Sequence, residues 1–219
     1  MSVRTLSAAE ARVLAVLVEK ESTVPDSYPM SLNSLTLGCN QKTARDPVMN
    51  LAESEVAAAL DELKSMSLVH EVSGSRVTRF AHNMRRVLGV PGQSEALLAV
   101  MMLRGPQTAA ELRLNSERLH RFADVSSVEG FLEELAEREP PLARKLARAP
   151  GARESRWAHL LAGEPALPAA EARASSDAPA PARDAELAAL REEVATLKEL
   201  VHRMAQQLGV EIEPGPQGG

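Results

Sequence analysis

Residues 54–81 read SEVAAALDELKSMSLVHEVSGSRVTRFA, and this stretch decides the fold. Val56, Leu60, Leu63 and Met66 recur at i, i+4, i+7 and i+10, which is one face of a helix. Ser54 and Glu55 suit the start of that helix as cap and dipole partner. Leu68 to Val72 and Arg76 to Ala81 are strand candidates, and Ser73-Gly74-Ser75 between them is a turn signal. The expected unit is a helix running into a β-hairpin.

Two helices precede it. Ser7 with Glu10 three residues on is a capping-box pattern. Val13, Leu14, Leu17 and Val18 follow at helical spacing, and the helix should end near Glu21, before Pro25. Tyr28-Pro29 marks a loop. Ser31 to Cys39 predicts a second helix with Leu32, Leu35 and Leu37 inward. Asn40 to Asn50 is polar, and Asp46-Pro47 breaks any helix there. Helix, helix, helix, hairpin is the winged-helix order.

The order repeats downstream. Ser94 to Leu103 predicts a helix, and Gly105-Pro106 breaks the chain. Thr108, with Glu111 three residues on, caps a second helix to Leu114. Ser126 or Ser127 caps a third, carrying Val128, Phe131, Leu132 and Leu135 and ended by Pro140-Pro141. Leu142 to Ala147 and Ser155 to Leu160 flank the turn Ala149-Pro150-Gly151-Ala152. The expected class is mainly α with small β-hairpins (α+β), built as tandem winged-helix (helix-turn-helix) domains over 5–84 and 90–162. An Ala/Pro-rich linker, 163–183, leads to a short coiled-coil helix, 185–208, and a disordered tail, 209–219. In the coiled coil, Leu187, Leu190, Val194, Leu197, Val201, Met204 and Leu208 alternate spacings of three and four.

Composition narrows the function. Five aromatic residues in 219 exclude a row of stacking platforms for single-stranded nucleic acid. A single cysteine, Cys39, excludes an internal disulfide framework and a thiolate zinc site. The longest apolar run, Ala96 to Leu103, is far short of the roughly 20 residues a membrane span needs. Glu10 and Arg12 stand where a signal peptide is apolar, so the expected setting is a bacterial cytoplasm. Net charge is -2 over 1–84, +2 over 85–162 and -5 over 163–219, which makes the middle third the only basic part. Arg outnumbers Lys 20 to 5, as phosphate contacts or a GC-rich genome would each produce.

One motif is distinctive. Asn40-Gln41-Lys42-Thr43-Ala44-Arg45-Asp46-Pro47-Val48-Met49, followed by Glu55-Val56 and Ala59-Leu60-Asp61, resembles the signature of the YceH-like family. Pro29, Leu32, the run Arg104-Gly105-Pro106-Gln107-Thr108 and Glu111-Leu112-Arg113 are similar to it as well. The resemblance covers roughly residues 5–162. It implies bacterial tandem winged-helix domains and leaves the biochemical role open.

Two readings of function follow. In the first the chain contacts duplex DNA as a regulator. Arg144, Lys145, Arg148, Arg153 and Arg156 on the second hairpin face a single acid, Glu154, and Arg113, Arg118, His120 and Arg121 lie ahead of them. Lys42 and Arg45 would be phosphate donors in the first domain, unless Asn40, Asp46 and Asn50 simply tie that loop to its own backbone. The opening of the third helix, Ala52-Glu53-Ser54-Glu55, with Asp61 and Glu62 beyond, is acidic and suits a duplex poorly. In the second reading the chain is a non-catalytic adaptor that pairs with itself or a partner through Leu187, Leu190, Val194, Leu197, Val201 and Met204. Trp157 and Cys39 fit core positions. The five histidines lack metal spacing, and no phosphate loop or nucleophile elbow occurs, so neither a cofactor nor an enzyme activity is expected.

Overall fold

Two helices are apolar nearly all round, and the fold is built about them. The computed structural model describes residues 4–72, 77–148 and 154–165. Helix α1 (Ala8–Thr23) carries Val13, Leu14, Ala15, Val16 and Leu17, none of which touches solvent. Helix α5 (Gly92–Arg104) buries every residue from Ser94 to Leu103. A helix without a polar face has to be surrounded, and these two pack against each other. At α1 the Ser7 hydroxyl accepts the Glu10 amide (3.2 Å) and the Glu10 carboxylate accepts the Ser7 amide (2.9 Å), the reciprocal cap the spacing predicts.

Around α1 lie α2 (Leu32–Cys39) and α3 (Glu53–Ser65). Strand β1 (Met30–Ser31) pairs antiparallel with β3 (Arg79–His82), which pairs antiparallel with β2 (Val69–Val72), so the order is β1-β3-β2. Around α5 lie α6 (Ala109–Asn115), α7 (Val125–Glu137) and a second ladder, β4 (Ala143–Lys145) on β5 (Trp157–His159). Gln107 bridges the free edge of β5: its amide donates to Trp157 O (3.0 Å) and receives from Trp157 N (2.7 Å) at its own carbonyl. Gln107–β5–β4 therefore repeats β1–β3–β2.

The repeat reaches individual side chains. Val56, Leu60 and Leu63 of α3 are matched by Val128, Leu132 and Leu135 of α7 at the same intervals, all at most 1% exposed. Leu35 of α2 is matched by Leu112 of α6, both fully buried. Between the halves lies α4 (Met84–Leu88), which ends on Gly89 in the left-handed region at φ 59°. One continuous core runs from Leu6 through both halves to Leu161, so the divisions 5–84 and 90–162 mark a repeat of topology within one packed body.

Several sequence expectations are corrected. Leu37 is 66% exposed: it lies two residues, about 200° of helix, beyond the buried Leu35. Ser54 does not cap α3. The cap is Ala52, whose amide donates to the Glu55 carboxylate at 2.7 Å. Asp124 rather than Ser126 or Ser127 caps α7, because its carboxylate accepts the Ser127 amide at 2.7 Å. The stretch 85–92, where the two expected repeats meet, holds most of α4 and the first residue of α5. The turn 73–75, the turn 149–152, nearly all of the linker, the heptad residues and the tail lie outside the described residues. No described helix is long and apolar enough to cross a membrane.

Candidate functional site

The loop 40–49 is fastened from four sides. Asn40 joins its two ends: Nδ2 donates to Leu51 O (2.8 Å) and Oδ1 accepts Leu51 N (2.7 Å). The Asp46 amide donates to Leu103 O at 2.8 Å, which ties the loop to the last turn of α5. Arg12, inside α1, donates to Cys39 O (3.1 Å) and Pro47 O (2.7 Å). Arg45 points inward, its side chain sealed from solvent. It donates to Glu19 at 2.7 and 3.1 Å, to Gln41 Oε1 at 2.9 Å and to the Gly38 carbonyl. This corrects the expectation for Arg45: its donors face protein acceptors, so it is not a phosphate donor. Lys42 is exposed and makes no ion pair among the described residues. Asp46 ties the loop through its amide rather than its carboxylate, and Asn50 is exposed.

Burial drives the electrostatics here. Desolvation pushes the Arg12 guanidinium below its ordinary value, with the Arg45 charge adding to it. Desolvation raises the Glu19 carboxyl, but the hydrogen bonds and charges of Arg45 and Lys20 together outweigh that and leave it below its ordinary value. The Cys39 thiol is pushed up to about 12 by burial. Sequence reasoning missed Arg12 and Glu19. The available signal was an arginine set between Ala11 and Val13 in an apolar helix, which demands buried acceptors.

On the second hairpin the cations separate by face. Cross-strand partners are Ala143 with His159, Arg144 with Ala158 and Lys145 with Trp157. Alternation puts Lys145 beside Trp157 on one face and Arg144 on the other. Arg156 also falls on the face of Arg144, since it adjoins Leu146 in the ladder. Arg144 pairs with Glu164. Arg156 donates to Pro106 O (2.7 Å) and Glu111 (3.3 Å). Lys145 lies 5.5 Å from the ring centre of Trp157, a cation–π contact, and Trp157 is 3% exposed, a core position. Lys145 and Arg148 line a groove of about 420 Å³ with Ala109, Val125, Glu129, Glu154, Ser155 and Trp157, at the first turns of α6 and α7. Arg118 and Arg121 are exposed between α6 and α7, whereas Arg113 donates to Ala123 O at 3.2 Å. Arg153 lies outside the described residues.

The third helices show the same exposed chemistry twice. Asp61 and Glu62 of α3 are exposed, and so are Glu133 and Glu134 at the matching positions of α7. Leu37 and Leu114, matching positions of α2 and α6, are 66% and 68% exposed. Among the described residues no three His, Cys, Asp or Glu side chains cluster as a metal site.

Comparison with known proteins places the chain. Residues 6–152 match the family described as "Protein of unknown function, DUF480". A UPF0502 protein of Leptothrix cholodnii is 62% identical, the alignment covering 96% of this chain and 99% of that protein. A UPF0502 protein of Burkholderia orbicola is 60% identical over 98% of this chain and 94% of its own length. One of Burkholderia pseudomallei is 61% identical over 96% and 92%. The match spans both topological repeats and the loop that straps them together, and the chain therefore belongs to the DUF480 family of UPF0502 proteins.

Proposed function

We propose that the two repeats are winged-helix domains and that the protein binds duplex DNA without catalysis, through the second hairpin. The YceH-like resemblance and the strand order of both ladders support the winged-helix reading. The observation that carries the DNA reading is the groove where Lys145 and Arg148 flank the first turn of α7, beside Glu129 and Glu154. A winged helix presents its third helix and its wing together, and a phosphate backbone fits between them. The pairs Arg144–Glu164 and Arg156–Glu111 remove those two arginines from the contact set. Exposed Glu133 and Glu134 turn the helix itself away from base edges, so contact is to phosphate and tolerant of sequence.

Mobility shift of a random duplex at several salt concentrations tests this. Two contacts give a log–log slope near about -2. Lys145→Ala with Arg148→Ala should remove most of that slope on every sequence alike. Arg144→Ala with Arg156→Ala should leave it in place. Equal binding by wild type and the Lys145/Arg148 variant at every salt concentration would sink the proposed surface.

A second reading rests on Leu37 and Leu114. An exposed leucine on the same turn of α2 and α6 suits an adaptor that docks protein partners. Absence of duplex binding by wild type at low salt favours it. Under either reading we propose that residues 185–208 pair in parallel, Glu186 facing Arg191 and Glu193 facing Lys198 of the other copy. Light scattering should give twice the mass for the full chain and a single mass after truncation at Ala182.

A further inference from the structure

A buried carboxylate oxygen without a donor lies where the two halves meet. Glu95, in the first turn of α5, has a side chain 3% exposed. Its Oε2 receives two N–H bonds from Arg85 of α4, at 2.8 and 3.1 Å. Its Oε1 has no hydrogen-bond partner. The atom facing it is Nδ1 of His82, 3.5 Å away, at the end of β3. The His82 side chain is itself 4% exposed.

The hydrogen bonds around the ring assign its tautomer. The Met84 amide points at Nδ1 from 3.4 Å, so Nδ1 accepts. Nε2 then carries the hydrogen and donates to Glu21 of α1 at 2.9 Å. Tyr28 packs edge-on to the ring with centroids 6.2 Å apart, and its hydroxyl accepts the His82 amide at 2.8 Å. The charged and titratable groups facing the imidazole are thus Glu21 from α1, Tyr28 from the turn before β1, Arg85 from α4 and Glu95 from α5. With the ring neutral the charged groups sum to one net negative charge, and the unprotonated Nδ1 lies 3.5 Å from Oε1.

We infer that His82 is a proton-operated clasp between the two halves. A proton taken from solvent at Nδ1 turns that atom into a donor, replaces the long Met84 contact with an Nδ1–H···Oε1 bond to Glu95, and cancels the net charge. The ring then bridges Glu21 of α1 and Glu95 of α5, the two central helices, from the end of β3. The seam is tighter in acid and looser in base. The device does not depend on DNA binding.

Urea unfolding of the full chain from about pH 8 to about pH 5.5 tests the clasp, with wild type set against His82→Gln, each with and without Glu95→Gln. The ratio of folding constants, wild type over His82→Gln, is expected to rise about tenfold as pH falls, since a group that gains a partner on protonation stabilises below its titration. His159 is common to both chains and cancels. In the Glu95→Gln background the rise should vanish. A ratio that stays flat, or that rises equally without the Glu95 carboxylate, overturns the inference. If His82→Gln does not fold, nitrogen–proton NMR of the wild-type imidazole decides. Both ring nitrogens protonated in acid, with the Nδ1–H resonance altered by Glu95→Gln, is the expected result. A ring singly protonated at about pH 5, or indifferent to Glu95→Gln, overturns it.

Discussion

Removing Arg45 leaves the Glu19 carboxylate facing a cavity with its main partner gone. Breaking one side of a buried pair costs about 3–5 kcal/mol, so Arg45→Met should cost that much in urea unfolding, whereas Lys42→Ala, on the exposed side of the same loop, should stay within about 0.5 kcal/mol. Cys39 should resist thiol reagents in the native protein and react at the unfolding midpoint, because a thiol pushed up to about 12 carries almost no thiolate at neutral pH. His159 ends β5. Burial lowers its imidazole to about 4, and its Nδ1 is sealed without a partner. Its folded value lies below the unfolded value of about 6.5, so the unfolded chain binds the proton first. The stability it contributes is complete above about pH 6.5 and lost as pH falls toward 4, by at most about 3 kcal/mol. His159→Gln should flatten that acid limb in a pH series of thermal unfolding. Of these, only the core position of Cys39 was legible in the residues alone. Arg45 reads as a surface cation until Glu19, 26 residues earlier, is found against it.

At the scale of elements, much was legible. Ser7 with Glu10 and Thr108 with Glu111 each form the reciprocal cap their spacing implies, since capping depends on four consecutive residues. The buried face of α3 follows its periodicity to the residue, apart from a half-buried Met66. What escaped was short or ambiguous. Two-residue β1 and five-residue α4 are held by tertiary neighbours and carry no periodic signal. Near the start of α7 the sequence offered Ser126 and Ser127, and the extended backbone at Asp124 gave it the cap instead. The α2 helix offers a clean contrast. Leu35→Ala should cost about 2–5 kcal/mol, whereas Leu37→Ser, two residues on, should cost under about 0.5 kcal/mol. Chemical denaturation of the two variants checks it. Equal costs would mean that Leu37 is covered in solution.

For the whole molecule the decisive fact is that α1 and α5 share one core. The element order of both halves was readable, and the short 85–92 stretch leaves them too little slack to pack apart, but nothing in it states which faces meet. A shared core makes unfolding cooperative. The chain carries its own reporters for this: the single Tyr28 lies in the first half and the single Trp157 in the second. Tyrosine absorbance and tryptophan fluorescence should give one coincident midpoint, and separate transitions would show that the halves unfold independently. Consider the chain during synthesis. Helix α1 is complete at Thr23, but the partner that covers it is complete only at Arg104. At the usual ~5–20 residues per second the ribosome takes roughly 4–16 s to make that interval. Through that interval the nascent first half carries an uncovered apolar stripe, and a pause in translation just before α5 would prolong that exposure.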